Sequence, residues 1–300
     1  MPRLSVHMPA YNAESTIRLA IESVLRDIPA DAELVVLDDV STDGTAQVVA
    51  SITDSRLRMI NGTHEGVGRA SQALLDSSDS EYIARMDSDD VWFRGRARRQ
   101  LSAVLSGADA VFASAVLWRE RRPLSFTAPT RISSRAFPFH LLLTNPVTHS
   151  TLFARRSAIE GAGGYRPFRT TEDYDLYLRL AAQGSALRRL ALPGVAYRVH
   201  ANQITAGADW RRESWRNPQI AEVFSSLAES LLGVPAQRIS SLAVDDDKSA
   251  AARRDQFADF ARRFRAAIST QSATERWVLN RKLARRAAWF HSHLENPSGT

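Results

Sequence analysis

The stretch Tyr82-Ile83-Ala84-Arg85-Met86-Asp87-Ser88-Asp89-Asp90 opens as an apolar strand and closes with three carboxylates in four residues. Packing gives no reason for this, because clustered carboxylates repel and push one another's pKa upward. A divalent cation removes the conflict. If the strand ran on, Asp87 and Asp89 at i and i+2 would share one face. Oxygen-rich sites of this kind suit Mg2+ or Mn2+, which take one or two carboxylates and leave positions for phosphate oxygens. The plainer alternative is an acidic turn capping the next helix, and a lone Asp-x-Asp does not decide between them.

The residues before this stretch alternate between two periodicities. Leu4 to Met8 reads as a strand stopped by Pro9, with Tyr11-Asn12 in a loop. Ile17, Ala20, Ile21, Val24 and Leu25 form one helical stripe. Glu33 to Leu37 is the apolar run of a strand covered on both faces, and it ends in Asp38-Asp39. Ser41-Thr42-Asp43-Gly44-Thr45 turns into a helix carrying Val48, Val49 and Ile52, with Ser41 or Thr42 as the expected N-cap. A third strand over Leu57 to Ile60 leads to Gly66-Val67-Gly68 and a helix through Leu74. After the acidic stretch come a helix with Ala97, Leu101, Val104 and Leu105, and a strand from Ala110 to Ser114.

This alternation predicts a parallel, doubly wound α/β sheet. Ligands of such sheets bind beyond the carboxyl ends of the strands. Tyr11, Asp39 and the Asp87–Asp89 pair all follow strand ends, so they are expected in one crevice. An Asp there can accept the imide N–H of a uracil or thymine ring, and an aromatic such as Tyr11 can lie against the base. The metal carboxylates then stand where a diphosphate would be. Taken singly, Asp39 could be a turn residue bonding its own backbone, and Tyr11 a rim aromatic.

Composition narrows the field. Three hundred residues, 44% hydrophobic and 24% charged, suit a globular chain with a sizeable core. The absence of cysteine excludes disulfides and thiolate chemistry. Gly66-Val67-Gly68 lacks a third glycine and follows the third strand, unlike a dinucleotide fingerprint. There is no Walker loop, no zinc-ligand spacing and no apolar run of the ~18 residues that a membrane helix needs. No signal-peptide core follows Met1, so a cytoplasmic location is expected. The net charge is +6, and of 39 basic residues only Lys248 and Lys282 are lysines. Such a balance favours anionic partners: diphosphates, membrane headgroups or nucleic acid.

Pro9-Ala10-Tyr11-Asn12, Asp38-Asp39-x-Ser41-Thr42-Asp43-Gly44-Thr45 and the Tyr82–Asp90 stretch together resemble the family 2 glycosyltransferases of GT-A fold. Arg96 and Gln100 stand where that family often has them. Thr171-Glu172-Asp173-Tyr174-Asp175 is similar to its later Glu-Asp motif, and Tyr197-Arg198-Val199-His200 with Gln203 to its closing segment. The likeness runs from about Leu4 to Thr205. It implies a GT-A domain over residues 1–205, with a helical extension over 206–300. It also implies inverting, metal-dependent transfer of a sugar from a nucleoside diphosphate, expected to be a UDP-sugar, to a hydroxyl of a glycan or lipid-linked acceptor in cell-surface polysaccharide synthesis. By resemblance Pro9, Tyr11, Asp39, Asp87 and Ser88 contact the nucleotide sugar. Asp89 and His200 hold Mn2+ or Mg2+, and Asp173 is the general base. From the residues alone, Asp173 reads first as a helix-start carboxylate favoured by the dipole behind an N-cap Thr171, and His200 equally as a surface histidine.

Three departures stand out. Val40 replaces the usual Gly, Ser71-Gln72 stands where an Arg-Asn pair is common, and Arg94 replaces a frequent Pro. His149 matches a family position in the active-site region but also suits a core histidine, and Thr148 to Ala154 is expected to be a strand. Phe137 to Leu143 is expected on the acceptor side, and Arg119 to Pro129 as a polar excursion. Further on, Phe257, Phe260, Phe264 and Ile268, then Leu279, Leu283 and Phe290, lie at helical spacing beside arginines. They read as helices packed on the catalytic domain, or as peripheral contacts with the inner face of the cell membrane. Rival readings are a sugar nucleotidyltransferase, which lacks its glycine-rich loop here, and a non-catalytic nucleotide-sugar-binding or scaffold protein. Nucleic-acid binding by the basic helices is not favoured.

Overall fold

The structure is a computed structural model that describes residues 2–119, 125–126, 130–200, 203 and 209–295. Its strands are β1 (Leu4–Ala10), β2 (Ala32–Asp38), β3 (Leu57–Asn61), β4 (Tyr82–Arg85), β5 (Val91–Trp92), β6 (Ala110–Arg119), β7 (Ser125–Phe126), β8 (Phe153–Arg155) and β9 (Leu187–Val199). They form one sheet in the order β3-β2-β1-β4-β8-β6-β9-β5, with β7 paired to β6.

The first half is the parallel, doubly wound part. β1 pairs parallel with β2 and β4, and β2 with β3. Its crossovers are α1 (Ile17–Leu25), α2 (Thr45–Ala50) and α3 (Val67–Asp76). Their apolar stripes explain the layering: Ile17, Ala20, Ile21 and Val24 are buried with Val6, Met8, Leu34 and Val36 in one core. The second half is mixed. β8 runs antiparallel to both β4 and β6, while β6 and β9 are parallel. The α4 helix (Arg96–Leu105) packs on β6 and β8.

Several local expectations are corrected. β4 stops at Arg85, and Asp87 to Asp90 form a turn in which the Asp90 N–H bonds the Asp87 carbonyl at 3.3 Å. Asp87 and Asp89 therefore share no strand face. Neither Ser41 nor Thr42 caps α2, which begins after Gly44. Both are drawn to Asn12: its N–H donates to Ser41 Oγ (3.0 Å) and its Oδ1 accepts from the Thr42 N–H (2.8 Å). The expected strand over Thr148–Ala154 is a 3-10 turn, His149–Thr151, followed by β8.

The helices α5 (Phe137–Leu143), α6 (Arg156–Gly161) and α7 (Glu172–Ala182) lie in the second half. The chain then continues as α8 (Asp209–Arg216), α9 (Pro218–Leu232), α10 (Ile239–Ala243), α11 (Ala250–Ala267) and α12 (Ala273–Glu295). Phe224, Phe257, Phe264, Leu283 and Phe290 are buried in the same cluster as Phe137, Leu141 and Tyr177. The apolar faces of α11 and α12 are thus turned to the core, and Trp277, 58% exposed, is the large apolar side chain these helices leave outside. Among the described residues no helix is long and apolar enough to cross a membrane. The expected boundary at residue 205, the tail after Glu295 and most of the Arg119–Pro129 excursion lie outside the described residues.

Candidate active site

One cleft of about 1780 Å3 opens over the carboxyl ends of β1, β2 and β4. Pro9, Tyr11, Asp39, Asp87, Ser88, Asp89, Asp173 and His200 all line it. Residues far apart in sequence meet there because each follows a strand end or begins a helix on that side of the sheet.

The side of the cleft beside Asp39 is held by interlocked loops. Besides the Asn12 bonds, Ala13 N–H donates to Thr45 Oγ1 (2.8 Å), Glu14 N–H to Asp43 Oδ2 (3.1 Å) and Gly44 N–H to Glu14 Oε2 (3.0 Å). Asp39 follows β2, and its carboxylate accepts the His64 N–H at 2.8 Å. The His64 ring lies 4.6 Å from that of Tyr11, which is 49% exposed. Tyr11 and His64 thus present a partly open aromatic pair beside Asp39.

The acidic turn is tightly wired. Arg85, buried at the end of β4, donates from Nε to Asp87 Oδ1 (3.0 Å) and from Nη1 to Ser71 Oγ (2.8 Å). Burial opposes ionisation of Asp87, but the Arg85 guanidinium, helped by the Ser150 hydroxyl, holds its carboxyl below the usual range. Ser150 Oγ lies 2.6 Å from Asp87 Oδ2 and 2.5 Å from Asp90 Oδ2. One hydroxyl proton cannot serve two carboxylates. Asp90 is pushed well up by burial and by repulsion from Asp87 and Asp89. Ser150 Oγ therefore bridges the two carboxyl groups, and the upward push favours the protonated form of Asp90. Asp89, raised by burial and by Asp87, sits with Oδ2 2.9 Å from His200 Nε2. Arg198 fixes this turn from β9: its N–H donates to Asp90 Oδ1 and its Nε to the Asp89 carbonyl, both at 3.0 Å.

The other acidic group stands at the start of α7. Thr171 does not cap this helix: it sits at φ +64° and makes no side-chain capping bond. Asp173 Oδ2 accepts from Asn145 Nδ2 (2.7 Å) and its Oδ1 from the Tyr174 N–H (2.6 Å). Burial outweighs these bonds and pushes Asp173 up to about 6; burial and Asp173 push Glu172 up to about 8. His149 resolves to a neutral, satisfied histidine, with Nδ1 2.6 Å from Tyr177 Oη and burial pushing its pKa down to about 3. Ser71 and Gln72, the departure noted on α3, serve the scaffold: Ser71 holds Arg85, and Gln72 Oε1 accepts the Tyr165 N–H at 2.7 Å. Gly68 lets the 166–168 backbone lie against α3, since a Cβ there would fall 2.3 Å from the Arg166 carbonyl.

Sequence reasoning missed His64, Asn145 and the Trp215–Trp289 wall of the same cleft, and the buried Ser150 behind Asp87. None carries a local pattern; each is placed by a loop or by tertiary packing. Among the described residues no three His, Asp or Glu side chains converge as a metal cage. Asp89 and His200 form a two-donor site of the kind that phosphate oxygens complete for Mg2+ or Mn2+.

Comparison with known proteins agrees with this architecture. Over 98% of this chain and 91% of the other, the fold superposes on the crystal structure of S. aureus TarS 1-349 in complex with UDP-GlcNAc, with a TM-score of 0.63 at 14% identity. The chain is 28% identical over 210 residues to the UDP-Glc:alpha-D-GlcNAc-diphosphoundecaprenol beta-1,3-glucosyltransferase WfaP of Escherichia coli, covering 69% of this chain and 81% of that protein. It is 38% identical over 103 residues to WfgD of the same organism, which bears the same activity name, covering 34% of this chain and 41% of that one. The model of the family described as Glycosyl transferase family 2 matches residues 5–161. That match spans more than half of the chain, which therefore belongs to glycosyl transferase family 2 and is a glycosyltransferase of GT-A fold.

Proposed function

We propose that this enzyme transfers a sugar, with inversion, from a UDP-sugar to a hydroxyl of a glycan or lipid-linked acceptor in cell-surface polysaccharide synthesis. The observation that carries the reading is the meeting of Asp39, Asp87, Asp89 and Asp173 in one cleft. Asp39 accepts the imide N–H of the uracil ring, and Tyr11 and His64 pack against the ring. Pro9 and Ser88 complete the contacts through the loops that carry them, and Asp87, kept ionised by Arg85, meets the ribose. Asp89 and His200 hold Mn2+ or Mg2+, which when bound offsets the charge on the leaving diphosphate. Asp173 takes the proton of the acceptor hydroxyl as its oxygen attacks the anomeric carbon. The new C–O bond forms opposite the breaking bond to the diphosphate, so the configuration inverts. A pKa near 6 suits that task, since the carboxylate is ionised at neutral pH and still basic. The named activities of WfaP and WfgD support a UDP-sugar donor and a lipid-diphosphate acceptor.

The test is a thermal-shift panel of nucleotide sugars with and without Mn2+, on the wild type and on Asp89→Ala. UDP-sugars are expected to stabilise the wild type most, and more with Mn2+. Asp89→Ala should lose the Mn2+-dependent part, at least the ~10–100-fold in metal affinity that loss of an outer-sphere partner already costs. Equal Mn2+-dependent binding in both proteins would remove Asp89 as a ligand.

A further inference from the structure

The cleft continues past Asp173 into a wall made by the C-terminal helices, and the roles above leave that wall unused. Trp215, Arg238, Arg286 and Trp289 line it. The Trp215 and Trp289 rings meet edge-on at 5.6 Å, and Arg286 Cζ lies 4.4 Å over the Trp289 ring. Arg238 Cζ lies 4.7 Å over the ring of Tyr174, the neighbour of Asp173, and its Nη1 donates to the Ser214 carbonyl at 3.0 Å. Among the described residues neither arginine pairs with a carboxylate, and the buried Arg286 Nε has no hydrogen-bond partner. Burial lowers the pKa of both, and for Arg286 the nearby Arg238 adds to it. Two half-buried like charges facing a cleft are costly unless an anion joins them. Arginine forks match phosphate oxygens, and flat indole faces match the apolar face of a sugar ring.

We propose that this wall is the acceptor subsite, and that the acceptor is a sugar bearing a phosphate or diphosphate ester, bound by Arg238 and Arg286 with its ring against Trp215 and Trp289. The inference rests on the transferase reading, because it puts the acceptor hydroxyl beside Asp173. The phosphate belongs either to a lipid carrier or to a free phosphorylated sugar.

Binding is read by tryptophan fluorescence on the full chain, with and without saturating UDP and Mn2+. The probes are glucose 1-phosphate against glucose, and decyl glucosyl phosphate against decyl glucoside. Each phosphorylated probe should bind at least ~10-fold tighter than its partner, the scale of one charge-assisted hydrogen bond. Arg286→Gln and Arg238→Gln should each remove most of that preference, while Arg286→Lys keeps a good part of it; melting curves check that the variants fold. Tighter binding of the decyl phosphate than of glucose 1-phosphate assigns a lipid carrier, and equal binding a free phosphosugar. No preference in the wild type, or an unchanged preference in both Gln variants, overturns the proposal. So does a parallel fall in UDP affinity, which would give the arginines to the donor. If the wild type binds no UDP, the donor reading fails, and the titrations without UDP still judge the arginine site.

Discussion

The two acidic groups of the cleft are built from the same kind of side chain and shifted in opposite directions, Asp87 downward and Glu172 and Asp173 upward. At the end of β4, Asp87 is ionised because Arg85 and Ser150 bond it directly. At the start of α7, Glu172 and Asp173 are pushed upward because burial dominates, although an amide and a backbone N–H bond Asp173 and the nearby Arg85 favours its charge. Environment rather than residue type sets the difference: a carboxyl held ionised at one end, and one raised toward neutrality at the other.

The largest expected effect comes from removing the poised group. Asp173→Asn should lower transfer by ~10²-fold or more while nucleotide binding persists, the usual scale for a lost general base. In the wild type, kcat/KM should rise about tenfold per pH unit below pH 6 and level off above it; in the variant that limb should vanish. Stability should move the other way. A carboxyl raised to about 6 in the fold contributes stability that is complete below its unfolded pKa and lost as pH rises through 6. Asp173→Asn should therefore be more stable than the wild type at pH 8, by up to about 3 kcal/mol, with little difference at pH 4. A variant that melts earlier at pH 8 would show that the carboxylate is supported, not strained.

Removing Arg85 should convert the first cluster into a likeness of the second. Arg85→Met keeps the volume and leaves Asp87 beside Asp90, with Ser150 as its remaining side-chain hydrogen-bond partner among the described residues. Breaking such a buried pair costs about 3–5 kcal/mol. The sign with pH is fixed by the depressed Asp87: its contribution is present above the unfolded carboxylate pKa and lost as pH falls through the lower folded value. Urea midpoints of wild type and variant should converge toward pH 3 and separate toward pH 7. A gap that is constant with pH would mean that Arg85 acts through packing alone.

The same contrast explains what could be read in the sequence. The strand ends carrying Tyr11, Asp39 and Asp87 were legible because apolar runs of fixed period announce strands, and a parallel sheet gathers its strand ends on one side. The order of the later strands was not legible: β8 is three residues long and enters antiparallel between β4 and β6, with nothing in Phe153-Ala154-Arg155 to select that place. Local rules also failed where the backbone departs from helix and strand. Thr171 has the side chain of an N-cap and a left-handed φ instead, and Ser41 and Thr42 gave their capping groups to Asn12. The arginine–tryptophan wall was invisible because its helices carry ordinary core stripes, and which arginines turn inward is decided by packing.

The smallest expected effect tests whether the Asp39 side of the cleft, too, stores strain. Among the described residues four non-glycines have positive φ: Asn12, Val40, His64 and Thr171. Three of them line the cleft and Val40 directly follows Asp39. Val40, β-branched at φ +64° and 53% exposed, has little packing to lose. A left-handed conformation costs an L-residue about 1–2 kcal/mol, and glycine gives back about 0.5–1 kcal/mol through the unfolded chain. Val40→Gly should thus raise stability by about 0.5–1 kcal/mol, a few degrees in Tm at most. If the Val40 side chain also holds the Asp39 turn in place for the base, UDP affinity should fall as Tm rises. Strain beside Asp39 would then serve binding there, as burial raises the Asp173 carboxyl. A Tm rise with unchanged UDP affinity would confine the strain to the turn and leave Asp39 positioned by its His64 and Ala10 hydrogen bonds alone.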